Sequence, residues 1–497
     1  MNYDYVVIGG GVSGMTTALI LAKQGCRVAL VERSKKIAPT IRGFTRGGLL
    51  FDTGFHYSGG LETGGPLDIF FRYLGLSDGI EIYPFKDDGF DSLRCLHPQF
   101  EFHYPYGYDK LKESFHGAFP GDKKAVDEYF RTVKKIYSSL PYVDLDTRGE
   151  PVSFSAVTGP SLQEFLDGLT DNGLLKCVLS MHCFLYGVSP GEIPFANHAC
   201  VAGSFYASVS GITGGGQSLV KAFETSLENT GVSIYCGQAA EKILISGNGI
   251  ICGIRLGDGS TLSCSGCVST IHPHQLLEIV PDHLFRPAYI NRLKDLEDTS
   301  SACIFFVTCS TSVKGLQGSN LFIFPRPDFS FFNSDLPVEE RPLYITAARS
   351  NGEAEKNGFI AICPMSDTVT QRWSDSATGK RAAEYELFKR EMTERVRCFI
   401  EASSPEIAGR IIDMECATPL TLRDYTNSPY GSIYGVKHRV GQYNPMPVTR
   451  LKGLYLAGQA TTAPGIIGAI MSGFIACENI FGRNHLQEEL KACRPKG

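Results

Sequence analysis

The hydrophobic pattern is most regular at the start of the chain. Residues 3–8 form a short apolar run through Val6, Val7 and Ile8, which predicts a buried strand. Residues 15–23 place Ala18, Leu19 and Ala22 on one side at helical spacing, and Gly25 ends that helix. Residues 26–31 return to strand character and stop on Glu32. The same two periods recur downstream. Helices are predicted over 66–74, 125–140, 218–229 and 384–400, the second and last with one apolar face. Residues 161–205 read as mostly helical, broken at Ser189, Pro190 and Gly191. Strands are predicted near 48–51, within the aromatic stretch 80–106, at 232–235, as a hairpin over 239–256, and at 261–271. Four more, at 302–307, 321–325, 344–348 and 359–363, are assigned to one sheet. Residues 453–458 are a last buried strand that runs toward a glycine-rich helix start at Gly465.

Between the first strand and the first helix, Gly9, Gly11 and Gly14 fill a G-x-G-x-x-G pattern, with Val12 and Ser13 inside it. Gly9 allows the tight turn, Gly11 lets backbone approach a pyrophosphate, and Gly14 lets the helix pack close to the sheet. The helix N-terminus offers free N–H groups and a positive dipole end. Glu32 ends the second strand, where a carboxylate accepts from ribose hydroxyls and repels a 2′-phosphate. NADP is therefore disfavoured there, and no second G-x-G-x-x-G follows a strand. The triple glycine 214–216 lacks that register and reads as the start of a helix alone.

At 497 residues the chain has room for two or three domains. A net charge of −5 implies no nucleic acid or other polyanion. Sixteen cysteines suggest disulfides at first, but they are scattered. The first strand begins too close to Met1 for a signal peptide, so the thiols are expected to be reduced and the protein cytoplasmic. Cys264 and Cys267 form a C-x-x-C without a second pair or a nearby histidine at metal spacing, so no metal site is expected. No apolar run is long enough to span a membrane.

Five stretches together resemble the FAD-dependent phytoene desaturase, carotenoid isomerase and retinol saturase family. They are Val7-Ile-Gly-Gly-Gly-Val-Ser-Gly14, Phe51-Asp-Thr-Gly-Phe-His-Tyr57, Leu185-Tyr-Gly-Val-Ser-Pro190 with Pro194 and Phe195, Gly214-Gly-Gly-Gln-Ser-Leu219, and Gly453-Leu-Tyr-Leu-Ala-Gly-Gln459 through Gly468. The wording of the second is closest to retinol saturases. Many relatives carry Arg-x-Gly-Gly-Arg after the ribose acid, whereas this loop reads Arg42-Gly-Phe-Thr-Arg46.

The resemblance implies an α/β, two-domain FAD-dependent oxidoreductase with a Rossmann-like, discontinuous FAD domain and a sheet-plus-helices substrate domain. The FAD domain would be 1–85, 200–275 and 410–485, and the substrate domain 86–199 and 276–409. The implied FAD contacts are Gly9, Gly11, Val12, Ser13, Gly14, Glu32, Arg33, Ala240, Gly458, Gly465, Ile466, Ile467 and Gly468. A helix starting near Ile466 would aim its N-terminus at the flavin and favour a reduced flavin's negative charge.

His56, with Tyr57 as fallback, is expected to be the proton-transfer group at the ring, with an ordinary imidazole pKa of about 6.5. Tyr430, Tyr434 and His438 lie in a loop implied to sit beside the flavin. The implied reaction is saturation, desaturation or isomerisation of carbon–carbon double bonds in a long apolar isoprenoid or polyene, such as a carotenoid or retinoid. An electron donor or acceptor outside the chain is required. Phe329, Phe331 and Phe332 fall in a turn-rich stretch and are read as a peripheral membrane contact. A flavin amine oxidase and a non-catalytic prenyl-chain carrier of the same fold are the alternatives.

Overall fold

The computed structural model describes residues 2–146, 159–332, 336–350 and 356–495. Two seven-stranded sheets organise them. In the first, Asn2–Ile8 lies between Val28–Glu32 and Thr261–Ser269, parallel to both, and Ser233–Cys236 extends the Val28–Glu32 edge. The far edge of Thr261–Ser269 is shared. Its first residues pair with the antiparallel hairpin of Ile251–Leu256 and Ala240–Ile245, and Cys267 to Ser269 pair in parallel with Leu454–Leu456. Val28–Glu32 is buried at every position, which is why its sequence runs apolar instead of alternating.

Helix Val12–Lys23 crosses between the first two strands and packs against helix Gly465–Phe481. A methyl group added at Gly473 would sit 2.9 Å from Thr16 Cγ2, so the glycine sets the spacing between these helices.

The second sheet runs Ile411–Ala417, Ser301–Cys309, Asn357–Met365, Leu343–Ala347, Asn320–Phe324, Asp91–Cys95 and Phe100–Tyr104. The four strands assigned to one sheet are all in it. Alternation in Asn320–Phe324 sorts its side chains between two cores. Leu321 and Ile323 pack toward helix Ala383–Ser403, through Met392, Val396 and Ile400. Phe322 and Phe324 pack toward helices Lys123–Ser138 and Phe195–Ala207. Residues 411–417, grouped on sequence with the nucleotide-binding segments, belong to this second sheet, because Ile411 and Cys416 bury beside Phe305 and Val307.

Two small sheets complete the topology: Ile82–Pro84 with Ser210–Ile212, and Phe44–Arg46 with Leu49–Phe51 and Arg349–Ser350.

The reading of Phe329, Phe331 and Phe332 as an exposed contact is corrected. Phe331 is 3% exposed, and Phe329 and Phe332 pack against the same aromatic core as Phe324 and Phe184. Their turn-rich sequence concealed that they fold back onto the sheet. All sixteen cysteines are free. Burial pushes the Cys264 thiol up to about 12 and raises Cys267 as well, away from reactive thiolate character. No helix among the described residues is long and apolar enough to cross a membrane.

Candidate active site

The cradle at the end of the first sheet follows from its glycines. Gly9 has φ +103°, and a methyl there would lie 2.6 Å from Thr270 Oγ1. A methyl on Gly14 would overlap the Gly9 carbonyl oxygen. Gly11 differs: nothing lies within 4 Å of where its Cβ would be, so open space stands before the N-terminus of helix Val12–Lys23. No side chain caps that helix, and its first N–H groups face this space as an anion site would require.

Glu32 is 8% exposed and accepts from the N–H groups of Gly10 and Ser34, each at 2.7 Å. Two oxygens with two further lone-pair positions leave capacity for ribose hydroxyls. Arg33 is exposed beside it. Ala240 opens the hairpin, two residues beyond Gln238, whose N–H donates to the Glu32 carbonyl.

The last glycine segment completes the cradle. The Gly458 N–H donates to Ser472 Oγ at 2.8 Å, and Ser472 Oγ lies 3.2 Å from Ser13 Oγ, which ties the final helix to the first. Gly465, at φ +84°, has open space where a Cβ would be, and no side chain caps the helix that begins there. Ile466 is buried, Ile467 is half-buried against Gly60, and a methyl on Gly468 would overlap the Ala463 carbonyl oxygen. The two uncapped helix starts and the open backbone at Gly11 and Gly465 fit a dinucleotide whose phosphates meet one helix and whose ring system meets the other. Arg42 is held by the Ile37 carbonyl and by Glu224 at 2.7 Å, while Arg46 pairs with Glu415.

His56 is partly exposed, yet protein surrounds it deeply enough to push its pKa down to about 3, through desolvation first and the Arg349 charge second. The ordinary pKa expected from sequence is therefore corrected: the imidazole stays neutral across physiological pH. Its ring lies 5.8 Å from that of Tyr344. Tyr57 stacks on Phe85 and donates its hydroxyl to Asp91 at 2.9 Å. Asp91 is fully buried and also takes Asn320 Nδ2 at 2.8 Å, with His182 Nε2 at 3.3 Å. Burial and the Asp91 charge raise the Tyr57 phenol well above its usual value. Its hydroxyl is thus committed to holding a buried carboxylate.

Sequence reasoning missed the ion pair of Asp52 with Arg349. Asp52 also accepts the Gly216 N–H at 2.8 Å, and Arg349 Nη2 reaches the His56 carbonyl and the Tyr83 hydroxyl at 3.1 and 3.0 Å. Burial raises the Asp52 carboxyl, with Arg349 and the Gly216 N–H opposing it. The Phe51-Asp-Thr-Gly54 stretch was the one local signal. Arg349 lies 297 residues away.

A cavity opens where Pro464 precedes the last glycine-rich helix. Its wall includes Tyr186, Val188, Val201, Tyr434 and His438, and no aspartate, glutamate, lysine or arginine lines it. His56 is not part of that wall. His438 is neutral by burial, donates through Nε2 to the Gln459 carbonyl at 2.7 Å and receives Asn444 Nδ2 at 3.3 Å. The Tyr434 hydroxyl makes no hydrogen bond among the described residues, and burial raises its pKa. Tyr430, at φ +55°, is 63% exposed.

A parallel nucleotide-binding sheet joined to a second sheet, with a cradle between two helix starts, defines an FAD-dependent oxidoreductase of the two-domain plan. The chain belongs to the family described as flavin containing amine oxidoreductase, which matches residues 12–481. It is 26% identical over 549 aligned positions to the all-trans-retinol 13,14-reductase of Homo sapiens, covering 98% of this chain and 87% of that protein. It is 21% identical to the 4,4'-diapophytoene desaturase (4,4'-diaponeurosporene-forming) of Staphylococcus haemolyticus, covering 92% and 94%. The fold matches a crystal structure of an oxidoreductase from Methanosarcina mazei with a TM-score of 0.67 and 16% identity, covering 96% and 100%.

Proposed function

We propose that this flavoenzyme saturates, desaturates or isomerises carbon–carbon double bonds of a long apolar polyene of the carotenoid or retinoid kind. The observation that carries the reading is the wall of the small cavity beside Pro464: mostly aliphatic and aromatic, with the Asn197 amide and the Cys200 thiol, and with no aspartate, glutamate, lysine or arginine. Such a wall suits a hydrocarbon chain better than a cationic amine. The similarity to a retinol reductase and a diapophytoene desaturase over nearly the full chain supports the same class.

FAD, when bound, supplies the two-electron chemistry. The residues that would hold it are Gly9, Gly11, Val12, Ser13, Gly14, Glu32, Arg33 and Ala240 at one end, and Gly458, Gly465, Ile466, Ile467 and Gly468 at the other. The chain's remaining tasks are to exclude water and to move a proton. His56, held neutral, carries no proton to donate as a cation near pH 7, and its lowered pKa makes it a weak base there. Tyr434 lines the cavity and keeps its phenol proton at that pH, and it is the residue assigned to proton transfer here, with burial weakening it as an acid.

An apolar polyene is collected from lipid, so the reading includes peripheral contact with a membrane on the cytoplasmic side. Tyr443, Met446 and Val448, each at least half exposed within six residues of chain, are the apolar residues assigned to it, and Ile412, Tyr425 and Tyr430 are also exposed.

The deciding experiment mixes anaerobically photoreduced enzyme with all-trans-retinol, where flavin reoxidation reads saturation, and oxidised enzyme with phytoene-type carotenes, where flavin bleaching reads desaturation. One of these flavin changes with a shift in the polyene absorbance, or that shift without net flavin change for an isomerisation, is the expected result. Turnover of primary amines with no response to polyenes overturns the reading in favour of an amine oxidase. A colourless protein that takes up no FAD overturns it in favour of a carrier.

A further inference from the structure

Away from the cradle, two histidines and an aspartate converge. His272 and His274 flank Pro273 just beyond strand Thr261–Ser269, and Asp298 comes from the segment leading into the second sheet. One donor atom from each lies within 4.8 Å of the other two. His272 Nε2 sits 2.8 Å from Asp298 Oδ1, and the side chains of His272 and Asp298 are only 9% and 6% exposed.

Hydrogen bonding within the group leaves it incomplete. His272 Nδ1 accepts the His274 backbone N–H at 3.2 Å, so its Nε2 carries the proton given to Asp298. That uses one carboxylate oxygen. Asp298 Oδ2 and His274 Nε2 are both buried and have no partner. No lysine or arginine pairs with Asp298 among the described residues, so His272 is the one ion-pair partner it has there. Buried polar atoms are rarely left this way, and an absent ion is one of the standard reasons.

We propose that His272, His274 and Asp298 form a binding site for a divalent first-row cation of the zinc class. Two imidazoles and one carboxylate suit such an ion; all-oxygen sets suit Mg2+ and Ca2+, and thiolate sets suit Cu(I). Ligands at about 2 Å in a tetrahedral shell stand roughly 3.3 Å apart, so the donors need only close inward. His274 Nε2 and Asp298 Oδ2, both idle, become ligands. The His272 ring proton moves to Nδ1, giving up the weak contact from the His274 N–H, and water completes the shell.

The location gives the ion a structural task. Asp298 bridges to Val436, and the Thr299 N–H donates to the Gly435 carbonyl at 2.8 Å. A cation here fastens the end of the nucleotide-binding sheet to the loop carrying Tyr434 and Val436, the wall of the apolar cavity.

The test uses full-length holoenzyme with Zn2+ alone, measuring metal content after desalting and binding heat by calorimetry. One equivalent retained by the wild type, lost in His274→Ala and in Asp298→Asn but kept by His485→Ala at the exposed His485, is the expected result. Their flavin spectra report whether the variants fold. Should either variant lose its flavin, Co2+ bound to the wild type supplies the second readout: intense ligand-field bands of a four- or five-coordinate site support the proposal. Absence of retained metal, equal retention in folded variants, or a weak six-coordinate Co2+ spectrum overturns it.

Discussion

At the scale of single residues, the two glycines of the first turn have separable duties. Gly11 faces open space, so Gly11→Val should abolish bound FAD, as read from the flavin absorbance of the purified protein, while keeping the thermal stability of flavin-free wild type. Gly14 touches backbone, so Gly14→Ala should destabilise the fold by about 1–3 kcal/mol or more, as read from chemical unfolding, whether or not flavin is present. The reverse pattern would show that the space before Gly11 is not the pyrophosphate site. For proton transfer, Tyr434→Phe should retain FAD and lower turnover by roughly 10²–10⁴-fold. The pH–rate profile should show no inflection near 6.5 from His56, since its pKa is pushed to about 3. An inflection near neutrality that disappears in His56→Ala would restore the imidazole as the titrating group.

At the scale of elements, helix Phe195–Ala207 carries a buried hydrogen-bond chain. His198 Nε2 meets the Tyr129 hydroxyl at 2.6 Å and its Nδ1 meets the Tyr186 hydroxyl at 2.7 Å, all within the aromatic core. Burial pushes His198 down to about 3, with His182 adding to the effect. The native state therefore binds fewer protons than the unfolded chain between about 3 and the unperturbed 6.5. Stability from this group is complete above 6.5 and is lost as pH falls toward 3, at roughly 1.4 kcal/mol per pH unit. Denaturant unfolding at pH 7, 6 and 5 should show that decline, with His56 contributing on the same grounds, and His198→Gln should reduce it; a slope unchanged by the substitution would place the acid sensitivity elsewhere. The contact between helices Val12–Lys23 and Gly465–Phe481 makes a second case. Gly473→Leu should force them apart at Thr16 and lower both stability and flavin retention.

At the scale of the whole molecule, Arg349 links the halves. It reaches from the edge of a strand paired with Leu49–Phe51 to the buried Asp52 carboxylate, which in turn takes the N–H of Gly216 at the start of helix Gly215–Asn229. Arg349→Met would leave Asp52 buried without its cation, a loss of about 3–5 kcal/mol for such pairs, measurable by chemical unfolding. Arg349→Lys should recover part of it; full stability in the Met variant would show that Asp52 finds another partner. Glu32 and the single strand-linked glycine motif also bear on the electron supply: NADPH alone, at low concentration, should not bleach the flavin rapidly in a stopped-flow trace.

The nucleotide-binding half was legible in the sequence because its information is local. Strand, glycine turn, helix and second strand occupy residues 2–32, and each residue's role depends on neighbours a few positions away. The last glycine segment is local in the same sense. Four strands of the second sheet were readable as short apolar runs, whereas Ile411–Ala417 joins it through a pairing with Ser301–Cys309 that no nearby residue signals. Side-chain environments were decided in three dimensions. His56 looked like an ordinary imidazole until burial by the surrounding protein, and then the Arg349 charge, lowered its pKa, and Tyr57 looked free until Asp91 took its hydroxyl. Phe331 looked exposed until it folded onto Phe324 and Phe184. Hydrophobic period and glycine spacing act along the chain and fix elements. Desolvation, ion pairing and hydrogen bonding act across space between residues far apart in sequence, so only the tertiary structure could settle them.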